Sequence, residues 1–179
     1  MSECNELKNL THTELINRAE KIAENLTEKL KKNSLKLALA ESCTAGIISG
    51  LLANISGASN VLWGSYVCYM QEAKVKMLDL DNNALCANGL VSRETACSMA
   101  QGALQKSGAD IAASVTGLAG MESDGKVPGG TIWIAVAVCG KYFEKEEIKA
   151  KEFHFTGDRN TIRMQAAIAV LEALLDKLS

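Results

Sequence analysis

Apolar residues recur at helical spacing near the start of the chain. Leu15, Ala19, Ile22, Ala23, Leu26 and Leu30 fall on one face at a period close to 3.6. Thr11 or Thr13 precedes this stripe as a candidate N-cap and Asn33-Ser34 closes it, so a helix running to about Lys32 is predicted. Residues 1–11 ahead of it are mostly polar and read as a loose arm. The pattern then changes. Leu35 to Ala40 is apolar except at Lys36, the mark of a strand buried on both faces. A polar turn, Glu41-Ser42-Cys43-Thr44-Ala45-Gly46, follows at once and leads into a helix predicted from about Thr44 to Asn54.

Val61 to Met70 reads as a second strand and Gln71 to Leu80 as a short helix, with Asp81-Asn82-Asn83 opening a connection. Ser92 caps the next helix, which carries Glu94 and Thr95 in its first turn and ends near Ser107-Gly108. Asp110 to Thr116 is a short buried strand that enters a glycine-punctuated loop, and Thr131 to Cys139 is the longest β-like run. Ile148 to Phe155 is charged and reads as an edge strand. Its apolar positions shift from Ile148 and Ala150 to Phe153 and Phe155, which predicts a bulge. Thr156-Gly157-Asp158 turns the chain and caps a last helix from about Arg159 to Leu178. This alternation predicts an α/β fold, a three-layer α/β/α sandwich with a mixed, mainly parallel sheet. The runs 131–139 and 148–155, joined by a short loop, are expected to pair antiparallel. No repeat or low-complexity linker divides the sequence, so one domain over residues 1–179 is expected.

Composition narrows the function classes. The 179 residues are 47% hydrophobic and 22% charged, ordinary for a soluble globular protein, but only 4% aromatic. Few aromatics argue against reading single strands by base stacking. The net charge of -2, the pI near 5.8 and the lack of a basic stripe argue against nucleic acid as a partner. Lys29, Lys31 and Lys32 sit at a predicted helix end, where they complement the dipole. Six cysteines and two histidines show no C-x-x-C and no zinc spacing. Reduced cysteines in a cytoplasmic protein are expected. No apolar run reaches membrane-span length, so no membrane partner is expected.

Three polar segments follow predicted strands: Glu41–Gly46, Tyr69–Lys74 and Thr116–Gly120. In a parallel sheet such segments meet at one edge. Ser42 precedes a predicted helix N-terminus, where the amides of Thr44, Ala45 and Gly46 can steady an oxyanion. A serine nucleophile needs a base. His12 and His154 carry no motif, which leaves lysine, and Lys74 opens the helix after the second strand. Tyr69 can bond the nucleophile or the substrate. The plainer alternatives are Ser42 or Thr44 as an N-cap, Lys74 as an exposed helix lysine and Tyr69 as a surface residue of the sheet. Cys43 is a competing nucleophile or, more simply, a buried thiol. Thr116 and Gly117 open a loop that lets a ring or ribose approach. Asp158-Arg159 is either a phosphate site or a cap beside a solvated arginine.

Taken in order, Glu41-Ser42-Cys43-Thr44-Ala45-Gly46, Tyr69…Glu72-Ala73-Lys74, Gly89-Leu90-Val91-Ser92, Val115-Thr116-Gly117-Leu118-Ala119-Gly120, Pro128-Gly129-Gly130-Thr131-Ile132-Trp133 and Gly157-Asp158-Arg159 form a joint pattern. It resembles the C-terminal domain of the competence/damage-inducible CinA family, which also exists as stand-alone nicotinamide-nucleotide amidases. The resemblance runs from about Lys36 to the end of the last helix. It implies a three-layer sandwich and hydrolysis of the carboxamide of nicotinamide mononucleotide, without metal or cofactor. It also implies that Ser42, Lys74, Tyr69, Thr116 and Arg159 match the family's functional positions, and that the chain forms a dimer or larger homo-oligomer.

The sequence departs from the family pattern in several places. Ala45 stands where S-C-T-G-G has glycine, and Met70 and Gln71 stand where Y-S-N-E-A-K has serine and asparagine. Met121 replaces a proline, and Gly129 replaces the valine of P-V-G-T. An amidase is the leading expectation. A non-catalytic nucleotide-binding or interaction module is the alternative, motivated by Ala45, Met70 and Gln71. A related amidohydrolase is the third.

Overall fold

The computed structural model describes residues 7–120, 122–123, 125–140, 142–143 and 145–179; the replacement at position 121 lies outside them. Helix α1 spans His12–Lys32 and opens with a capping box. The Thr11 hydroxyl accepts from the Glu14 amide, and the Glu14 carboxylate accepts from the Thr11 backbone. Of the arm expected over residues 1–11, residues 1–6 lie outside the described residues, and Leu7 is buried, its carbonyl accepting from the Gln165 side chain.

Strand β1 (Leu37–Glu41) is buried throughout, as its apolar run predicts. Helix α2 (Ile47–Ala53) starts three residues later than expected. Strand β2 (Leu62–Val67) is half-exposed because it is an edge strand. After it come α3 (Gln71–Leu78) and α4 (Asn82–Asn88). Helix α4 lies where a connection was expected; its Asp81 cap accepts from the Asn83 amide, and Leu85 is its buried residue. Helix α5 (Arg93–Ser107), strands β3 (Ile111–Gly117), β4 (Thr131–Val138) and β5 (Glu147–His154), and helix α6 (Arg159–Lys177) complete the order.

The sheet order is β2-β1-β3-β4-β5. The β2-β1-β3 core is parallel, and β4 and β5 extend it antiparallel. Alternation along β1 and β3 sorts the two faces. Leu37, Leu39, Ile111, Ala113 and Val115 meet α1, α2 and α6, whereas Ala38, Ala40 and Ala112 meet α5. The alanine face lets α5 lie close, and its polar member Ser114 donates to the Ala96 carbonyl at 2.6 Å.

The bulge predicted in β5 is absent, since its register with β4 is unbroken from Thr131↔His154 to Val138↔Glu147. The apolar shift has another cause: Ala150 faces the α5 layer while Phe153 and Phe155 face the α6 layer. The irregularity lies in β2 instead, where Leu37 pairs with Leu62 and Ala38 with Gly64, leaving Trp63 as the extra residue. No described helix is long and apolar enough to cross a membrane.

Candidate active site

The parallel pairing of β2, β1 and β3 brings their C-terminal ends side by side, with Glu41 opposite Val67 on one flank and Val115 on the other. Ser42 follows β1 directly, and its amide donates to the Val115 carbonyl at 3.0 Å. Helix α3 then delivers Lys74, which is buried at 1% exposure. Its Nζ lies 2.9 Å from Ser42 Oγ, 2.8 Å from the Cys68 carbonyl and 3.3 Å from the Tyr69 carbonyl. A neutral amine has two hydrogens and one lone pair. As an ammonium Lys74 donates to all three oxygens; with its charge lost it can hold both carbonyls and still accept the Ser42 proton.

Burial pushes the Lys74 pKa down from the ordinary lysine value, opposed by Cys68 and Cys43. These thiols oppose it only when ionised. Burial pushes Cys43 up to about 12 and Cys68 upward as well, so at neutral pH both remain thiols and desolvation of Lys74 prevails. The same burial answers the choice between neighbouring nucleophiles: Cys43 is protonated, and Ser42 is the residue beside the amine.

The turn after Ser42 differs from expectation. Ala45 and Gly46 adopt positive φ, +51° and +93°, so the chain turns before α2 begins. The Ala45 amide donates back to the Ser42 carbonyl at 3.1 Å, and the Gly46 amide donates to Glu41 Oε2 at 2.9 Å. Neither is free for an oxyanion, which corrects the role expected of them. The fully buried Glu41 carboxylate fills the mouth of α2. It accepts from the Thr44 hydroxyl and from the amides of Gly46, Ile48 and Ser49, with the Ser65 hydroxyl as a fifth donor. Among the described residues the Thr44 amide has no acceptor, and the Cys43 amide is engaged only by its own thiol.

The remaining expected residues lie around this centre with altered duties. The Tyr69 side chain, 50% exposed, does not reach Ser42; its hydroxyl accepts from Arg159 Nη2 at 2.6 Å. Arg159 is the first residue of α6, whose N-terminus Asp158 caps by accepting from the Thr161 amide at 2.8 Å. Thr116 is buried and donates to the Leu90 carbonyl at 2.7 Å, so its hydroxyl fastens the 89–92 segment. Gly117 is required by strand contact rather than by a ligand: a Cβ there would come within 2.5 Å of the Thr131 carbonyl.

Sequence reasoning assigned no role to Glu41, Ser65 or Arg163. Arg163 donates from Nε to the Cys43 carbonyl at 3.0 Å and from Nη2 to the Thr44 carbonyl at 2.8 Å. Its i,i+4 spacing from Arg159 is the signal that could have found it. Among the described residues, no group of three or more His, Cys, Asp or Glu could hold a metal ion. Two hollows, of about 520 and 360 Å³, lie along β5 and α6 and between α3 and α5; neither is lined by Ser42 or Lys74.

Residues 19–178 match the family model of the CinA C-terminal domain. The chain belongs to that family. It is 39% identical over 146 residues to a CinA-like protein of Syntrophomonas wolfei, covering 81% of this chain and 34% of that protein. The chain spans about a third of the length of the curated relatives it matches. A solved competence/damage-inducible protein of Agrobacterium tumefaciens superposes with a TM-score of 0.83 at 32% identity, covering 89% of this chain and 94% of that one. A CinA superfamily protein of Escherichia coli gives 0.82 at 28% identity, covering 98% and 97%.

Proposed function

We propose that this chain hydrolyses the carboxamide of nicotinamide mononucleotide to nicotinate mononucleotide and ammonia. The observation that carries the reading is the buried Lys74 amine, 2.9 Å from Ser42 Oγ. The choice of substrate rests on the motif resemblance and on the Arg159 guanidinium at the start of α6, suited to a phosphate. Ser42 passes its proton to the neutral Lys74 amine as its oxygen bonds to the carboxamide carbon. The resulting oxyanion is held by the amides of Cys43 and Thr44. The Lys74 ammonium returns the proton to the departing nitrogen, the C–N bond breaks and ammonia leaves an ester on Ser42. Water, deprotonated by the same amine, cleaves that ester and restores the serine. The protein works in the cytoplasm as a dimer or larger assembly, without metal or cofactor.

The deciding measurement is ammonia release from nicotinamide mononucleotide by wild type beside Ser42→Ala. Turnover is expected in the first and a drop to background in the second, a loss on the order of 10⁶-fold. Wild type that binds the nucleotide calorimetrically but releases no ammonia would replace this reading with that of a non-catalytic nucleotide-binding module.

A further inference from the structure

Nucleophile and base do not by themselves explain how the turn between them is held. Ser42, Cys43 and Thr44 lie between β1 and the first turn of α2, outside both ladders of regular hydrogen bonds. Their peptide groups have distinct partners. The Ser42 carbonyl takes the Ala45 amide at 3.1 Å. The next two carbonyls, of Cys43 and Thr44, are gripped together by the half-buried Arg163 guanidinium at 3.0 and 2.8 Å, from a helix 119 and 120 residues further on.

A trans peptide is planar, and its N–H points opposite to its C=O. A guanidinium on the Cys43 carbonyl therefore turns the Thr44 N–H to the far side. That amide has no acceptor among the described residues, and the Cys43 amide before it is engaged only by its own thiol. A free amide two residues after a nucleophile, in a turn, is a donor for an anion that forms there. A charged donor on the carbonyl oxygen also polarises the peptide and strengthens the N–H as a donor.

We infer that Arg163 is a positioning residue for the reaction, which orients and polarises the Cys43–Thr44 peptide so that the Thr44 amide meets the developing oxyanion. The inference rests on the Ser42–Lys74 reading above. Arg163 touches neither Ser42 Oγ nor Lys74 Nζ; it acts through the backbone between them. Its effect therefore falls on the transition state, not on ground-state binding of the nucleotide.

The test compares wild type, Ser42→Ala, Arg163→Gln and Arg163→Lys for kcat, KM, pH profile and thermal midpoint. Arg163→Gln is expected to lower kcat about 10- to 100-fold, less than outright removal of an oxyanion donor. KM should stay within about twofold, and the acid limb of the profile should stay in place, because the base is untouched. Arg163→Lys is expected to recover part of kcat, since an ammonium can still reach one carbonyl. If Arg163→Gln does not fold, the Lys variant carries the test, with kcat lowered and KM intact. Wild-type kcat in a folded Gln variant overturns the role of Arg163 alone. Parallel loss of kcat and thermal midpoint without recovery in the Lys variant reduces Arg163 to a structural tie and also overturns it. Absence of turnover in wild type overturns the proposed function and this inference with it.

Discussion

Two helix mouths flank Ser42, and each receives one buried ionisable side chain. At α2 the Glu41 carboxylate is surrounded by donors: three amides and two hydroxyls. At α3 the Lys74 amine meets two carbonyls and a hydroxyl that can give up a proton. Both groups are removed from solvent, so burial does not separate them. Their partners do. Glu41 accepts from five donors, and it occupies the positive end of α2 so that no other anion can. Lys74 sits where loss of its charge is favoured and a proton is within reach. A helix N-terminus beside a serine is thus no oxyanion site until its own residents have been counted.

The sharpest way to break this contrast is to remove the amine. Lys74→Met should lower kcat about 10²- to 10⁴-fold in the ammonia assay, the usual worth of a general base. A variant within a few-fold of wild type would put the proton elsewhere. Glu41→Gln tests the other mouth. The amide nitrogen must face donors, leaving at least one buried N–H or hydroxyl unpaired. Stability should fall by about 1–3 kcal/mol, read as a lower urea midpoint at unchanged slope. An unaffected midpoint would mean that Glu41 is not the structural member of the pair.

The pH dependence of stability sharpens the comparison further. With its folded pKa lowered, Lys74 binds a proton more readily in the unfolded chain. Below the folded value both states are protonated, and the cost of burying the ammonium is present in full. Between the folded value and the ordinary lysine range the unfolded chain holds the extra proton, so this contribution to stability improves as pH rises. The difference between wild type and Lys74→Met in urea midpoint should therefore move in favour of wild type with rising pH. A difference that is flat across that window would argue against a depressed Lys74.

The smallest effect concerns the cap of α3. Met70 occupies the N-cap with extended backbone and makes no capping bond, where the related motif carries serine. Met70→Ser should add about 1 kcal/mol and raise the thermal midpoint by about 2–4 °C. No gain would show that the mouth of α3 is already satisfied.

Long periodic segments were legible from sequence because their own residues carry the pattern. The stripe from Leu15 to Leu30 and the apolar run of β1 needed no tertiary information. Helix α4 was missed because seven residues with one buried side chain give no period. The start of α2 was misplaced because Ala45, a strong helix former, is held at positive φ by the turn around it. At the site, Ser42 and Lys74 stood out by residue type after a strand and by the shortage of histidine. Glu41 and Arg163 did not. A glutamate ending an apolar strand looks like a solvent-facing residue, and an arginine in a terminal helix looks like surface charge. Both draw their meaning from contacts that form only when distant parts of the chain meet.

Helix α6 holds the site from two points: Arg163 on the carbonyls of Cys43 and Thr44, and Arg159 on the hydroxyl of Tyr69. These ties close loops of 119, 120 and 90 residues, so they are among the costliest to form and come late. A ribosome releases that helix after all five strands of the sheet. A nascent chain can therefore build its sheet before its reactive serine is braced, and competence arrives only once α6 has emerged.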